Sequence, residues 1–361
     1  MRKPFKKLLP FSALIFSLLY SQSTWAINNT FVHFGSFNHS EPIAIKAFAG
    51  NWDSKFSGGT KTLSLSQIEL GFTQGNWKYS VFQRQDYLLQ FSEDTAEFYY
   101  NIENKLPLDE GREYQLELDS QSFVATGLKV AFQDNWQQID WQLGISYLQG
   151  SKLTDGSING AATYINDNDY NFNFNADYYY DNDVLFDRNI EQAPEGHGYA
   201  IDLTLGTQIN DRWSVKLQAK DLLAQIFWNN TPRTVATSNS DTKTYDEDGY
   251  VIFNPVASGT ESTEDFTQRI PIKLNLSSTY RITPQHSIKF GYRNLDVAEF
   301  YNLAYQYHTP HSRFDVGYYL LAQAWSLSYQ RSWFKLQLLT DDLDWQEAKT
   351  LGVNLGLSYR F

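Results

Sequence analysis

Three histidines of the chain are each followed directly by a serine, the pair of residue types that nucleophilic catalysis uses. They are His39, His286 and His311. A catalytic dyad needs the imidazole within hydrogen-bond reach of the hydroxyl, whereas consecutive side chains of an extended strand point to opposite faces. The remaining candidate is His197, which lies between two glycines and has no neighbouring nucleophile. The sequence therefore predicts that this protein is not an enzyme.

Clustered Asp and Asn residues raise the question of a calcium site, because Ca²⁺ prefers oxygen ligands. The nearest match to a calcium-binding loop is the segment Asp246-Glu-Asp-Gly249. The first ligand position of that loop would be Thr244 and its twelfth would be Pro255, where the pattern requires a glutamate. We therefore predict neither a metal site nor any other cofactor.

A third chemical signal is a segment between positions 164 and 183 in which aromatic residues alternate with Asp and Asn. Ring faces beside carboxylates and amides suit sugar recognition, since rings stack on the sugar while the polar groups bind its hydroxyls. The pattern predicts a ligand platform built from Tyr164, Tyr170, Phe172, Phe174, Tyr178, Asp181 and Asp183. The alternative is that Tyr170 to Tyr180 forms the tip of a strand.

The elements that position these residues are indicated by the last twelve residues, which alternate between apolar and polar or small side chains. Leu351, Val353, Leu355, Leu357, Tyr359 and Phe361 share one face of an extended strand. This ending resembles the closing strand of Gram-negative outer-membrane β-barrels. The resemblance implies that Tyr359 and Phe361 belong to a signal read by the barrel-assembly machinery, which would be a partner of the chain.

The beginning of the sequence has the pattern of a secretory signal peptide. Arg2, Lys3, Lys6 and Lys7 precede roughly 13 mostly apolar residues, and small residues before position 27 suit cleavage. We predict a signal peptide over residues 1–26, with cleavage near Ala26. Because the sequence contains no cysteine, it offers neither a lipoprotein anchor nor disulfides.

Composition agrees with a barrel in the outer membrane. The chain has 24 Tyr, 25 Phe and 10 Trp, which suits strands that face lipid with every second residue and carry aromatic girdles. The predicted fold class is all-β, an antiparallel transmembrane β-barrel, with outer-membrane lipid and lipopolysaccharide as surroundings. The net charge of −12 argues against a nucleic-acid partner.

Six short, aromatic-flanked turns set the strand count. With a closing strand from Thr350 and a first strand from Ile43 to Phe48, they predict 14 strands; 12 and 16 are the alternatives. In this interpretation residues 27–42 form an N-terminal periplasmic or lumenal segment and 43–361 form the barrel. The short turns are assigned to the periplasmic side.

Three long outer loops are predicted at 88–121, 150–197 and 222–267, whereas the later outer connections are short. The third loop contains two apolar runs, 221–228 and 250–255. These runs need cover, since large exposed apolar patches are uncommon. The sequence does not decide whether they extend the barrel wall, fold inward as a constriction or form a lid.

Residues out of phase with the lipid-facing positions are predicted to line the lumen, and most of the charged ones are basic. The predicted lumen cations are Lys78, Arg84, Lys129, Lys216, Lys220, Lys273, Lys289, Arg293, Arg313, Lys335 and Arg360. The predicted lumen acids are Glu69, Asp86, Asp140, Asp202 and Asp315. A basic lumen favours anionic solutes; the alternative is that these charges pair across a packed interior.

The predicted function is an outer-membrane channel or substrate-selective porin for small anionic or sugar-like solutes. The main alternative is a non-conducting barrel that displays its loops for adhesion or surface assembly. A transporter of hydrophobic compounds is a further alternative, because 14 strands also resemble the long-chain fatty-acid transporter family. The Asn-Pro-Ala motif of that family is absent near the mature N-terminus. The sequence leaves the oligomeric state open.

Overall fold

The computed structural model describes residues 27–166, 169–240, 243–245, 251–253 and 256–361. The predicted signal peptide, 1–26, lies outside these residues. Within the described ranges, no helix is long and apolar enough to span a membrane. The helices are α1 (Ile45–Phe48) and α2 (Glu93–Glu103).

Strands account for most of the described chain. They are β1 (Asn29–Ser40), β2 (Lys61–Gln74), β3 (Trp77–Phe91), β4 (Glu113–Trp136), β5 (Ile139–Asn166), β6 (Asp169–Tyr180), β7 (Glu195–Asn210), β8 (Trp213–Asn239), β9 (Lys243–Tyr245), β10 (Val251–Phe253), β11 (Ala257–Arg269), β12 (Lys273–Arg281), β13 (His286–Asn294), β14 (Glu299–His308), β15 (Ser312–Tyr319), β16 (Ala324–Arg331), β17 (Phe334–Thr340) and β18 (Thr350–Arg360).

All strands except β6, β9, β10 and β11 form a closed antiparallel ring of 14, which confirms the predicted barrel and its strand count. The ring closes where β18 pairs with β1, from Asn29 opposite Arg360 to His39 opposite Thr350. Closure leaves no unpaired strand edge, as a lipid environment requires. The protein is therefore an outer-membrane type of β-barrel.

Exposed apolar side chains cover the outside of the ring. On β4, for example, Leu128 and Val130 are exposed, while Lys129 between them is mostly covered. Trp77 and Trp213, beside the short turns, are exposed as well. Rings at the strand ends suit the boundary between lipid and water, and short turns are typical of the periplasmic side.

The N-terminal boundary was predicted wrongly. Residues 27–42 are not a separate segment, because Asn29–Ser40 is the first barrel strand. Ile43 to Phe48 is not a strand; it contains α1, and Ile43 and Ala47 are buried. Alternation across Gly35 is weak, which hid this strand. The count remained 14 because the observed strand β1 takes the place of the predicted strand from Ile43 to Phe48.

The long predicted loops contain more strand than loop. The strands β4, β5 and β8 have 24, 28 and 27 residues, far more than the roughly 9–11 needed to cross a membrane. On the outer side, β6 fits between β5 and β8, and β11 pairs with β8. Residues 150–197 and 222–267 thus largely extend the wall on one side. Residues 88–121 contain α2 and the outer end of β4.

Candidate functional site

The lumen holds an apolar cluster, here called the plug cluster, in its outer half. Its buried members are Phe37, Leu63, Leu88, Leu295, Ala298, Phe300, Tyr319, Ala322, Ala324 and Leu339. Phe37 on β1 meets Phe300 on β14 edge to face, with ring centroids 5.0 Å apart. Because β1 and β14 are not neighbours in the ring, this contact crosses the lumen. Short connections that fold inward supply Leu295 and Ala322.

A second apolar group, here called the wall cluster, covers the inner face of the tall side. Its buried members are Phe82, Phe123, Ala125, Leu148, Leu153, Ala200, Ile226, Trp228 and Ile270. The fully buried Trp228 indole lies against Gly150 and Gly196, where an added Cβ would come within 2.5 and 2.7 Å of it. Its Nε1 donates to Gln268 Oε1 at 3.2 Å. Glycine at these two positions is what lets the ring lie flat on the wall.

A buried ion cluster lies beside these apolar groups. Arg84 Nη1 donates to Asp221 Oδ1 at 2.7 Å and Arg84 Nε donates to Asp86 Oδ1 at 2.9 Å. Lys273 Nζ lies 2.9 Å from Asp86 Oδ2 and 3.1 Å from Asp221 Oδ2. Two cations and two carboxylates from β3, β8 and the start of β12 thus compensate one another. The Arg84 guanidinium also lies 5.1 Å from the ring centroid of Phe123 in the wall cluster.

A bulge in β8 turns Asp221 into the lumen. Opposite β7, Leu203 pairs with Ala219 while Ile201 pairs with Leu223, so β8 has extra residues here. Asp221 has a φ of 62°, and its N–H donates to Asp202 Oδ1 at 2.9 Å. Bulges of this kind redirect side chains. Sequence alternation missed Asp221, although a carboxylate in a lipid-facing phase is itself a signal, because it is costly in lipid.

Other predicted lumen cations are paired as well. Lys129 binds Asp202, Lys78 Nζ lies 3.1 Å from Glu69 Oε1, and Arg313 Nε lies 3.1 Å from Asp315 Oδ1. The expectation of an openly basic lumen is therefore wrong for these residues, for Arg84 and for Lys273. Their charges are compensated locally, and the alternative of paired charges holds in this part of the barrel.

Two cations bind neutral partners. Lys220 Nζ donates to Gln67 Oε1 at 2.6 Å. Arg293 Nε donates to Asn275 Oδ1 at 2.8 Å, and its guanidinium lies 4.9 Å from the ring centroid of Phe37. Arg360 is exposed at the periplasmic end, and the predicted lumen acid Asp140 is exposed at the turn, where it accepts from Asn135.

The three remaining cations, Lys216, Lys289 and Lys335, form a group in the periplasmic half. Each lies near the short-turn end of its strand, on β8, β13 and β17. Lys335 lies within electrostatic range of Lys289, Lys216, Arg313 and Asp315. Among the described residues, no carboxylate is within ion-pair distance of the three lysines, and Asp315 already binds Arg313 and Ser328. This group, here called the lysine trio, carries uncompensated positive charge.

Cavities follow the axis of the barrel. A central cavity of about 420 Å³ is bordered by Phe37 and Leu339 of the plug cluster and by Asp86 and Lys273 of the ion cluster. A second cavity, of about 400 Å³, shares Lys78 with the first and is bordered by residues of β16, β17 and β18 nearer the periplasm. The lumen is thus hollow below the apolar clusters.

An outer cavity of about 320 Å³ opens on the other side of the clusters and is bordered by Leu88 and Asp155. Burial raises the pKa of Asp155, although hydrogen bonds from Gln121 and Gln268 oppose this shift. On β3, Leu88 borders the outer cavity and Asp86 borders the central one. Any route between the two cavities therefore passes the apolar clusters and the ion cluster.

The predicted ligand platform does not form a shared surface. Tyr178 and Asp183 are buried, and the Tyr178 hydroxyl donates to Asp183 Oδ1 at 2.8 Å. Asp181 Oδ1 accepts from the N–H of Leu153. These groups stabilise the extended wall, so the platform prediction is wrong for them, and the alternative of a strand tip holds.

The other platform residues lie along β5 and β6. Phe172 and Phe174 are half-buried neighbours with ring centroids 5.7 Å apart, and Tyr164 lies near the outer end of β5. The Tyr170 side chain lies outside the described residues. Tyr359 and Phe361 are exposed at the periplasmic end, with ring centroids 5.0 Å apart. Their role in assembly remains a prediction.

No protein-family model matches the chain, and no curated protein does. Solved structures with a similar course of the chain include the toluene transporter TodX of P. putida, with 8% identity, 93% of this chain and 90% of that chain covered, and a TM-score of 0.42. Another is a FadL homologue of Pseudomonas aeruginosa, with 11% identity, coverage of 92% and 87%, and a TM-score of 0.26. Because these identities and TM-scores are low, neither the ligand nor the function of these proteins is assigned to this chain.

Proposed function

We propose that the chain forms an outer-membrane channel for small solutes that combine an apolar body with one anionic group. One observation carries the proposal: the outer half of the lumen holds two apolar clusters, and the periplasmic half holds three lysines that have no carboxylate partner in the described part of the chain. The apolar outer half suits the apolar body of such a solute, and the basic periplasmic half suits its anionic group.

The outer half favours the apolar part of the solute. A solute that leaves the outer cavity passes Leu88 of the plug cluster and then reaches Phe37 and Leu339 of the same cluster, which border the central cavity. Contact with apolar side chains stabilises a bound ring or short alkyl chain. It stabilises a hydroxyl-rich molecule little, because the hydroxyl groups would lose their hydration there. A transporter of largely apolar compounds therefore fits better than a channel for sugar-like solutes.

The periplasmic half favours the anionic part. Lys216, Lys289 and Lys335 lie on different strands, and no described carboxylate lies within ion-pair distance of them; Asp315, whose charge reaches Lys289 and Lys335, is itself bound to Arg313. Like charges within a low-dielectric wall attract counter-ions. Of the predicted basic lumen, this trio is the part that supports selection of anions, whereas Lys273 belongs to the ion cluster.

Ion selectivity in planar bilayers tests the proposal. The salts are potassium 3-phenylpropionate and potassium gluconate, whose anions each carry one carboxylate but differ in apolar surface. We expect anion selectivity, with 3-phenylpropionate more permeant than gluconate. The combined variant Lys216→Gln, Lys289→Gln, Lys335→Gln should lose anion selectivity because the lumen loses three charges, while Lys152→Gln, on the exposed part of β5, should retain it.

Each part of the proposal can fail separately. Equal permeability of the two anions would contradict selection by the apolar clusters. Unchanged selectivity in the triple variant would contradict a role for the trio. Absence of any conductance would favour the non-conducting surface barrel, for which the tall wall and the closely packed plug cluster are the supporting observations.

A further inference from the structure

The segment between β6 and β7, residues 181–194 and here called the strap, packs on the outside of the tall wall. On β6, Tyr179 faces inward and stacks on Phe266 beside the wall cluster, so Tyr178 and Tyr180 face outward. Ile190 of the strap packs against this outward face. Arg188 Nε lies 2.9 Å from Glu261 Oε2 on β11. The strap is therefore fixed to the outer surface at several points.

A buried carboxylate organises the first turn of the strap. Asp183 Oδ1 accepts hydrogen bonds from the N–H groups of Leu185, at 3.0 Å, and Phe186, at 3.1 Å, as well as from the Tyr178 hydroxyl. This turn exposes 74% of Val184, 46% of Leu185 and 47% of Phe186. Three consecutive apolar side chains are thus held with about half or more of their surface exposed.

The height of the strap on the barrel indicates what covers these side chains. The strap leaves the wall at Asp181, whose N–H donates to Leu153 O on β5, and it ends where Glu195 pairs with Asn229. Just nearer the periplasm, Tyr147, Tyr199 and Phe227 are exposed on the lipid-facing surface. The exposed apolar turn therefore continues the upper edge of the lipid-facing surface.

We propose that Val184, Leu185 and Phe186 insert into the outer leaflet and that acyl chains at its upper boundary are their partner. Exposed apolar side chains next to a lipid-facing surface lose unfavourable contact with water when acyl chains cover them. The neighbouring tyrosines are the residue type that marks membrane boundaries. The strap then acts as a lipid contact for the tall side of the barrel, and this role does not depend on which solute the lumen admits.

Single labelled cysteines test the proposal, because the chain contains none of its own. The full-length protein is reconstituted in liposomes with an environment-sensitive fluorophore at Phe186→Cys. The lipid-facing control is Ile145→Cys on β5, and the water-facing control is Glu110→Cys, at an exposed acidic position in the connection between α2 and β4. We expect the label at position 186 to be quenched by nitroxide lipids, as at 145, and protected from iodide.

Iodide quenching at position 186 equal to that at position 110 would overturn the proposal. Protection from both quenchers would also overturn it, because a protein surface rather than lipid would then cover the strap. A second variant tests the turn itself: Asp183→Ala in the Phe186→Cys background removes the acceptor of the turn hydrogen bonds, so lipid quenching should fall. Unchanged quenching would show that the turn does not hold Phe186 in the leaflet.

Discussion

At the scale of residues, charge compensation decides what the lumen can select. Two of the predicted lumen cations, Arg84 and Lys273, lie in the buried ion cluster, and alternation did not reveal their carboxylate partners. Asp221 enters the lumen only because β8 bulges, and a bulge is a backbone irregularity that side-chain periodicity does not encode. The lysine trio differs from the paired cations Lys78, Lys129 and Arg313 in having no described carboxylate within ion-pair distance, and only the fold shows this difference.

The ion cluster predicts a large cost for removing Arg84. The variant Arg84→Met leaves Asp86 and Asp221 with Lys273 as their one ion-pair partner among the described residues, so the free energy of unfolding should fall by roughly 3–5 kcal/mol. Urea unfolding in detergent micelles, followed by tryptophan fluorescence, measures this change.

A matched control is Arg112→Met. Arg112 binds three carboxylates, Asp94, Glu97 and Asp109, but lies on the outer surface, so its loss should cost less than about 1 kcal/mol. Equal destabilisation by the two variants would contradict a special role for the buried cluster.

At the scale of elements, successive residues of each strand face the lipid and the lumen alternately, and a glycine on the lumen face leaves space there. Gly356 on β18 borders the second cavity, and the atom nearest to an added Cβ is Lys335 Cβ at 3.6 Å. A larger side chain therefore fits the backbone there and points into the cavity. Its neighbour Leu357 is exposed on the lipid-facing side.

This alternation predicts opposite results for the same ring at adjacent positions. Gly356→Phe should lower single-channel conductance because the ring narrows the periplasmic half of the lumen. Leu357→Phe, which adds the ring on the lipid side, should leave conductance unchanged. The single-channel conductance of both variants is compared in planar bilayers. Their folding is checked by the change in gel mobility on heating. A loss of conductance in both would indicate a general defect of the strand.

At the scale of the whole molecule, the sequence predicted the barrel class and 14 strands because lipid imposes strict alternation. It could not place the first strand or the height of the wall. Glycine weakens the alternation of β1, and the outer ends of β5 and β8 carry polar, aromatic patterns that resemble loops. The ligand platform failed for the same reason, since side chains such as Tyr178 become buried only when β6 enters the wall.

Because the first and last strands of the ring pair with each other, cysteines introduced at partner positions on these strands should form a disulfide. Ser36 and Val353 are direct partners on β1 and β18, and antiparallel partners have the Cα separation that a disulfide needs. The variant Ser36→Cys, Val353→Cys should therefore oxidise to a species that migrates differently from the reduced form on denaturing gels. Ser36→Cys with Leu351→Cys, two residues out of register, serves as the control. Equal cross-linking in both would argue against the described register.

The unequal height of the wall also governs the direction from which the mouth is reached. On one side, β4, β5, β6, β8 and β11 stand far above the bilayer; on the other, connections such as 295–298 and 320–323 end close to it. Because the tall side projects farther from the bilayer, we expect large molecules that approach from outside to contact it first. We expect solutes to reach the mouth of the lumen over the low connections.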